Sequence, residues 1–520
     1  MYLRFAGSLP GFLAHTLTRE EAEAVVRRRL ADRESNFLRL VEKGIFGFPR
    51  SPYLPLLRLA GCELGDIRKM VADRGLEGTL RALREAGVYV TFEEFKGREP
   101  LIRNGRSIPV KAGDFDNPYL KRHYQVRSGG TTGAGTRVTH DLDHLGDRAP
   151  YLLLACSAHG VLDAPAAIWR GTLPIGSGVN IILSRARYGK LPRKWFSPVI
   201  HRDRRQPLRF RLATLGLLVG GRILGAPIPR PEPVTLHQAA VPARWAFETC
   251  RAEGSCVIHC SVSLALRICL AAREESLDLT GTTFMSGDEP PTPAKVRGIE
   301  AAGGRFVPTY FFSEAGAVGW GCARPADVSD LHFFRDSLAL IQHPRLLPVS
   351  GATVETFHFT SLLWTAPKLL LNVESDDFGV MERRSCGCPL EGFGFTEHLR
   401  QIGSFSKLTG EGMTLVGSEM VRILEEVLPA RFGGSPLDFQ LLEEEDERGL
   451  TRLSLVISPK VGAVDEGEVI GVVMEALERG STQATLARDI WGQAGTLRIR
   501  RMEPVLTDRG KQMPLHIERR

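Results

Sequence analysis

Ser128-Gly129-Gly130-Thr131-Thr132-Gly133-Ala134-Gly135-Thr136 is the most chemically loaded stretch of this 520-residue chain. Gly129, Gly130 and Gly133 let the backbone turn with its N–H groups inward, and the hydroxyls of Ser128, Thr131 and Thr132 add donors. Such a segment can cradle phosphate oxygens. A Gly/Thr-rich surface turn has the same composition, so the segment gains meaning only from its company.

On the C-terminal side, short apolar strands alternate with helical stretches. Cys256 to His259 followed by Ser263 to Ala272 is one example, and this is the rhythm of an α/β sheet. Pro227, Pro229, Pro231 and Pro233 predict a stiff extended connection. On the N-terminal side, Thr18 with Glu21 makes a capping box, and Ala22, Val25, Val26 and Leu30 give the following helix one apolar face. After about Gly403 the texture changes. Phe439 to Glu444 and Leu450 to Ser458 flank the turn Asp446-Glu447-Arg448-Gly449, which predicts a hairpin inside a small α+β unit. No internal repeat and no low-complexity tract interrupts the chain.

With 43% hydrophobic, 24% charged and 8% aromatic residues, the composition is that of a globular protein, and it excludes disordered, collagen-like and disulfide-scaffold classes. Nine cysteines are too sparse to staple a fold of this length, so a reducing compartment is expected, with clustered cysteines binding metal or doing chemistry. The net charge of +7 suits anionic ligands without requiring nucleic acid. Much of the excess is local. Arg185, Arg187, Lys190, Arg193, Lys194, Arg202, Arg204, Arg205, Arg209 and Arg211 face only Asp203, which reads as a solvated face or as a docking face for an acidic partner or membrane. The apolar stretch Phe5 to Leu17 is broken by Pro10, and Leu212 to Pro227 contains Arg222. Neither reads as a targeting signal or a spanning helix, and a cytoplasmic protein is expected.

Five ordered segments together resemble the adenylate-forming superfamily, most closely its phenylacetate:coenzyme A ligase branch. The loop from Ser128 is similar to that superfamily's Ser/Thr/Gly phosphate motif, with Thr136 where many members carry lysine. Ser286-Gly287-Asp288-Glu289-Pro290 resembles the Gly-Gly-Glu-Pro turn that borders adenine, and Tyr310-Phe311-Phe312-Ser313-Glu314 resembles the Tyr-Gly-x-Thr/Ser-Glu motif. Ser375-Asp376-Asp377-Phe378-Gly379 resembles the Thr-Gly-Asp motif, and Thr507-Asp508-Arg509-Gly510-Lys511 the C-terminal loop whose lysine reaches the reacting carboxylate. The resemblance implies that Tyr310 stacks on adenine, Ser313 touches the α-phosphate or acyl carboxylate, Glu314 holds magnesium, Asp377 binds the ribose hydroxyls and Lys511 stabilises charge during adenylation.

The resemblance also implies the architecture. A large multi-sheet α/β domain over 1–402, with an N-terminal helical extension, would carry a small mobile α+β lid over 403–520 that swings about Gly403-Ser404-Phe405-Ser406-Lys407. Two departures stand out. Phe311 replaces the motif glycine and adds a ring where the acyl group usually lies, and Ser404 stands where the family has a ribose-contacting arginine, with Arg400 as the nearby substitute. The stretch Gly412 to Glu419 resembles the family's following Gly-rich segment.

Cys386-Gly387-Cys388 places two thiolates within reach of one tetrahedral metal, and Cys322 with His332 adds two ligands of matching softness. Free core cysteines beside an ordinary histidine are the alternative. A Cys3His set suits structural zinc, and the phenylacetate branch has a similar placement. Cys250, Cys256, Cys260 and Cys269 lack such a close pair and read as buried thiols. His159 and Asp163 form a His-x3-Asp spacing that is common by chance, and His159, Ser261 and Ser263 are candidate pocket residues from their positions relative to the motifs.

The expected activity is ATP-dependent activation of a small carboxylic acid as an acyl-adenylate, followed by transfer to a thiol, with coenzyme A as acceptor. The alternatives are transfer to a carrier-protein thiol or an amine, with Arg185 to Arg211 as the docking face, and a nucleotide-binding sensor that has lost its chemistry. A homodimer is in keeping with the branch.

Overall fold

The computed structural model describes residues 2–127, 137–173, 176–198, 208–288, 290–346, 353–404, 409–410, 413–414, 418–445, 451–478, 497–506 and 512–517. The phosphate-loop segment Ser128 to Thr136, Glu289, and the loop Thr507 to Lys511 lie outside the described residues, as do Phe405 to Lys407 of the hinge.

Ala166–Trp169 (β1), Cys256–Ser261 (β4) and Thr282–Gly287 (β5) are buried at every position. A strand covered on both faces must be mostly apolar or small, and these runs are apart from His259, whose Nε2 lies 3.4 Å from the Arg185 guanidinium. With Lys194–Ser197 (β2), Pro231–Pro233 (β3) and Arg305–Phe312 (β6), they form the parallel half of one twelve-stranded sheet, in the order β6-β5-β4-β1-β2-β3. The proline-rich stretch is therefore the sheet's edge strand, where a missing N–H does least harm. The antiparallel half consists of Gly316–Gly321 (β7), Leu331–Phe333 (β8), Leu338–Leu346 (β9), Thr353–Ser361 (β10), Val373–Arg383 (β11) and Glu397–Ser404 (β12). It continues from β6 in the order β7-β8-β12-β11-β10-β9. Separate short hairpins, Leu101–Arg103 with Arg106–Ile108 and Tyr124–Arg127 with Arg137–His140, make the body multi-sheet.

The N-terminal helices belong to the body's core. Phe37, Leu57 and Leu80, from helices Arg33–Leu40, Tyr53–Leu59 and Leu64–Glu85, share one apolar cluster with Phe333, Leu340, Phe357 and Phe359 of the antiparallel half. Helix Arg19–Ala31 starts with the expected capping box and buries Ala22 and Val26. Helices Ala240–Glu253 and Val262–Glu274 pack on the parallel half through Ala246, Leu266 and Ile268. No described helix is long and apolar enough to cross a membrane.

C-terminal to the body, Phe439–Glu445 (β13), Thr451–Ile457 (β14), Leu497–Arg501 (β15) and Leu515–Ile517 (β16) form a second sheet in the order β15-β14-β13-β16. It includes the expected hairpin, with Leu441 opposite Leu455. Met420, Leu424, Phe439, Leu455, Val469 and Leu477 give this unit its own core. One buried ion pair ties it to the body. Lys295 Nζ lies 3.1 Å from Glu425 Oε1, and the Thr292 hydroxyl donates to the same carboxylate.

Candidate active site

From β1 the chain runs outward through β2 and β3, then returns to β4 and runs the other way through β5 and β6, so the direction reverses between β1 and β4. In an open parallel sheet, the crevice beyond the carboxyl ends of the strands at such a reversal is where ligands bind. Arg170 follows β1 there, Ser261 ends β4, and Asp288 follows β5. The guanidinium of Arg170 is buried. It donates to the Cys260 carbonyl at 2.8 Å and to the Asp288 carboxylate, and it lies 5.8 Å from the centre of the Phe311 ring. Trp169, Ser177, Ser261 and Leu264 complete the wall of a cavity of about 20 Å³, room for about one water. Arg170 thus occupies the described part of the crevice, with the Phe311 ring beside its guanidinium.

Backbone geometry explains the residue types of the turn after β5. A Cβ at Gly287 would come within 2.4 Å of the Thr309 carbonyl oxygen, so only glycine lets β5 end this close to β6. Asp288 holds φ at +74°, in the left-handed region that asparagine and aspartate tolerate best among residues with side chains. Pro290 is exposed beyond it.

Two motifs far apart in sequence meet at the end of β6. The Tyr310 hydroxyl donates to Asp377 Oδ2 at 2.7 Å, joining the expected adenine and ribose residues across 67 positions of chain. A register shift between Tyr310 and Phe311 marks a bulge, after which Ser313 and Glu314 form the turn into β7. Asp377 faces Ser404 across β11 and β12, which places the first residues of the expected hinge segment beside the expected ribose site. Glu314 is buried and receives a hydrogen bond from Lys96 Nζ at 2.8 Å. Lys96 was not singled out from sequence, because it sits in an ordinary mixed-charge stretch. Arg170 carried a fainter signal, a lone arginine directly after an apolar strand.

The flanks of the two key loops are described. Tyr124–Arg127 pairs antiparallel with Arg137–His140, closing the base of the Ser128 to Thr136 segment, and Arg127 opposes Arg137. Leu506 bridges Gln512 at the base of the Lys511 loop. Gln512 donates to the Leu437 carbonyl at 2.9 Å and accepts from Arg267 of the body.

The four proposed metal ligands converge. The ligand atoms of Cys322, His332, Cys386 and Cys388 all lie within 4.8 Å of one another. His332 Nδ1 faces the Phe395 carbonyl at 2.6 Å, which leaves Nε2 directed at Cys388 Sγ, 3.0 Å away. Fixing one ring nitrogen on a carbonyl is how a ligating histidine is held in the required tautomer. Hydrogen bonds from Cys322 and then His332 pull the Cys388 thiol down to about 3 against its burial, favouring the thiolate a metal binds. The soft donors and their convergence fit a tetrahedral zinc.

Of the basic run, Arg185 is 1% exposed and donates to the Lys190 carbonyl, and Arg187 reaches the Phe12 and His15 carbonyls, whereas Lys190, Arg193 and Lys194 stay at the surface in pairs with Asp163, Glu253 and Glu232. Arg202, Arg204 and Arg205 lie outside the described residues. Arg400, the nearby substitute for the ribose-contacting arginine, pairs with Asp327 and Glu382. His159 and Asp163 do not meet, since His159 Nε2 lies on the Gly321 carbonyl at 2.9 Å while Asp163 is exposed. Cys250, Cys256, Cys260 and Cys269 are buried, as expected. Ser261 does line the crevice cavity.

No protein-family model matches the chain, and no curated protein matches it by sequence. Among solved structures, 2-hydroxyisobutyryl-CoA ligase in the postadenylation state with its acyl-AMP is similar at a TM-score of 0.52 and 14% identity, covering 96% of this chain and 90% of that one. The fold is that of the adenylate-forming ligases. MatB from Rhodopseudomonas palustris with ATP is also similar, at a TM-score of 0.42 and 12% identity over 78% of this chain and 68% of that one. The direction reversal and the Tyr310–Asp377 junction belong to one sheet, with β4 and β5 between the reversal and Tyr310 on β6.

Proposed function

We propose that the chain is an AMP-forming acid:thiol ligase of the phenylacetate:coenzyme A ligase type. The observation that carries this reading is the Tyr310–Asp377 hydrogen bond beside Ser313 and Glu314, on a sheet of the adenylate-forming fold. An aromatic face and a carboxylate held together at a strand end suit a purine nucleoside, with the ring under the base and the carboxylate on the sugar hydroxyls. Gly287, Asp288, Glu289 and Pro290 would border the base, and Ser128, Gly129, Gly130, Thr131, Thr132 and Gly133 would hold the phosphates.

In the first step a carboxylate oxygen attacks the α-phosphorus and pyrophosphate leaves. In the second a thiol sulfur attacks the acyl carbon, its proton is lost to solvent, and AMP leaves. Ser313 would donate to an α-phosphate or carboxylate oxygen, and Lys511 would offset the charge that builds on both. Magnesium, when bound, neutralises phosphate charge. Glu314 would be the carboxylate to hold it, through the oxygen that Lys96 leaves free. Cys322, His332, Cys386 and Cys388 would hold a structural zinc, and their position after Glu314 and after Asp377 supports the phenylacetate-type branch.

The acceptor would be coenzyme A, with a carrier-protein thiol or an amine as the alternatives. The division at 402/403 would let the C-terminal unit turn between the two steps, and such a turn would break the buried Lys295–Glu425 pair together with the Arg297–Glu426 and Arg267–Gln512 contacts. The test is acid-dependent ATP/pyrophosphate exchange across aromatic and aliphatic acids. Lys511→Ala should abolish exchange while sparing thioester formation from supplied acyl-adenylate, and equal loss of both would refute the assignment of Lys511 to the first step.

A further inference from the structure

Helix Leu208–Ile223 turns a greasy row to solvent. Of the nine large hydrophobic side chains exposed among the described residues, five belong to this helix and the residue after it: Leu212, Leu215, Val219, Ile223 and Leu224. They are a cluster, not the scattered exposure every protein surface has. Leu212, Leu215, Val219 and Ile223 are 57%, 55%, 51% and 78% exposed. At about 100° per residue the four fall within about 80° of arc. Leu217, on the opposite side, is buried in a cluster with Leu9, Phe12 and Ile228.

Charge flanks the row. Arg211 and Arg222 are both exposed and fall within about 20° of each other on one shoulder of the stripe. The exposed Arg230 follows, and no acidic residue occurs between Asp203 and Glu232. The helix has 16 residues and so is about 24 Å long, too short and too charged to span a bilayer.

We propose that this face docks on an anionic lipid membrane, with the helix lying in the plane of the interface. An apolar stripe with arginines beside it, on a helix too short to cross, is the design of an interfacial helix. Its apolar side enters the acyl boundary while the guanidinium groups meet anionic headgroups. A second copy suits the face poorly, because a two-fold contact would set Arg211 and Arg222 of one copy against those of the other. A specific protein partner suits it poorly as well. The row is made of leucine, valine and isoleucine, with none of the aromatic anchors that carry protein–protein contacts. The proposal is independent of the nucleotide chemistry.

The test is vesicle co-sedimentation of the full chain, comparing phosphatidylcholine alone with phosphatidylcholine containing about 30% phosphatidylserine. The expected result is binding to the anionic vesicles at least about tenfold above the neutral ones, weakened by high salt. Leu215→Glu/Val219→Glu should abolish it, and Arg211→Glu/Arg222→Glu should reduce it several-fold. All four side chains are exposed, so both variants should melt with the wild type, and light scattering should give the same mass for all three. Equal binding to both vesicle types, no binding, or binding unchanged in the Leu215→Glu/Val219→Glu variant would overturn the proposal. A wild-type dimer that this variant splits, without vesicle binding, would give the face to a second copy and overturn it too.

Discussion

Two constellations tie the same two stretches of chain, the segment from β6 to β8 and the segment from β11 to β12, and they do it in opposite ways. At the Cys322, His332, Cys386 and Cys388 cluster every ligand atom turns toward the others, and His332 is oriented by the Phe395 carbonyl. At the Tyr310–Asp377 junction the groups are half-buried, one hydrogen bond joins them, and the hinge strand begins alongside. The first is closed on itself, and its proposed role is stability. The second leaves donors, an aromatic face and a carboxylate for something that arrives.

The largest effect that could break this contrast is expected at the closed site. If the four side chains hold zinc as proposed, the wild type should carry about one per chain, and Cys388→Ser should lose it and lower the melting temperature by more than about 10 °C, read by metal analysis and calorimetry. A metal-free wild type of equal stability would put the two sites in one class. Asp377→Ala should do the reverse, weakening ATP binding by about tenfold or more through lost hydrogen bonds while melting within about 2 °C of the wild type.

Lys96→Met probes the boundary between the classes. It strands the buried Glu314 carboxylate, so both adenylation and stability should fall, and Lys96→Met/Glu314→Gln should recover the stability without the activity. Thermal melts beside exchange rates separate the two.

The smallest effect concerns Asp336, which shares the apolar surroundings of the closed site through Tyr151. Burial pushes its carboxyl up to about 6, partly countered by Arg29. The folded chain therefore holds this proton more tightly than the unfolded one. The contribution to stability is complete below the ordinary value of 3.8 and is lost as pH rises through about 6. Asp336→Asn should gain a few degrees over the wild type at pH 7.5 and lose that advantage at pH 4.

Legibility in the sequence followed the locality of the signal. The capping box at Thr18, the buried strand Cys256–Ser261 and the hairpin of β13 and β14 were readable because each depends on neighbours in the chain. The convergence of Cys322 and His332 with Cys386 and Cys388 was readable from ligand chemistry. Lys96 and Arg170 were not, since only tertiary packing brings Lys96 to a glutamate 218 positions away and Arg170 to an aspartate 118 positions away. Arg185 was hidden for the same reason: nothing in a run of basic residues singles out the one that is buried and donates to the Lys190 carbonyl.

The central claim is that the Tyr310–Asp377 face binds the nucleotide of an adenylating enzyme. Exchange of radiolabelled pyrophosphate into ATP, measured over a panel of carboxylic acids with wild type and Asp377→Ala, tests it most directly. The account predicts exchange that requires an acid and falls by about tenfold or more in the variant. No exchange with any acid despite ATP binding, or exchange indifferent to Asp377, would contradict it.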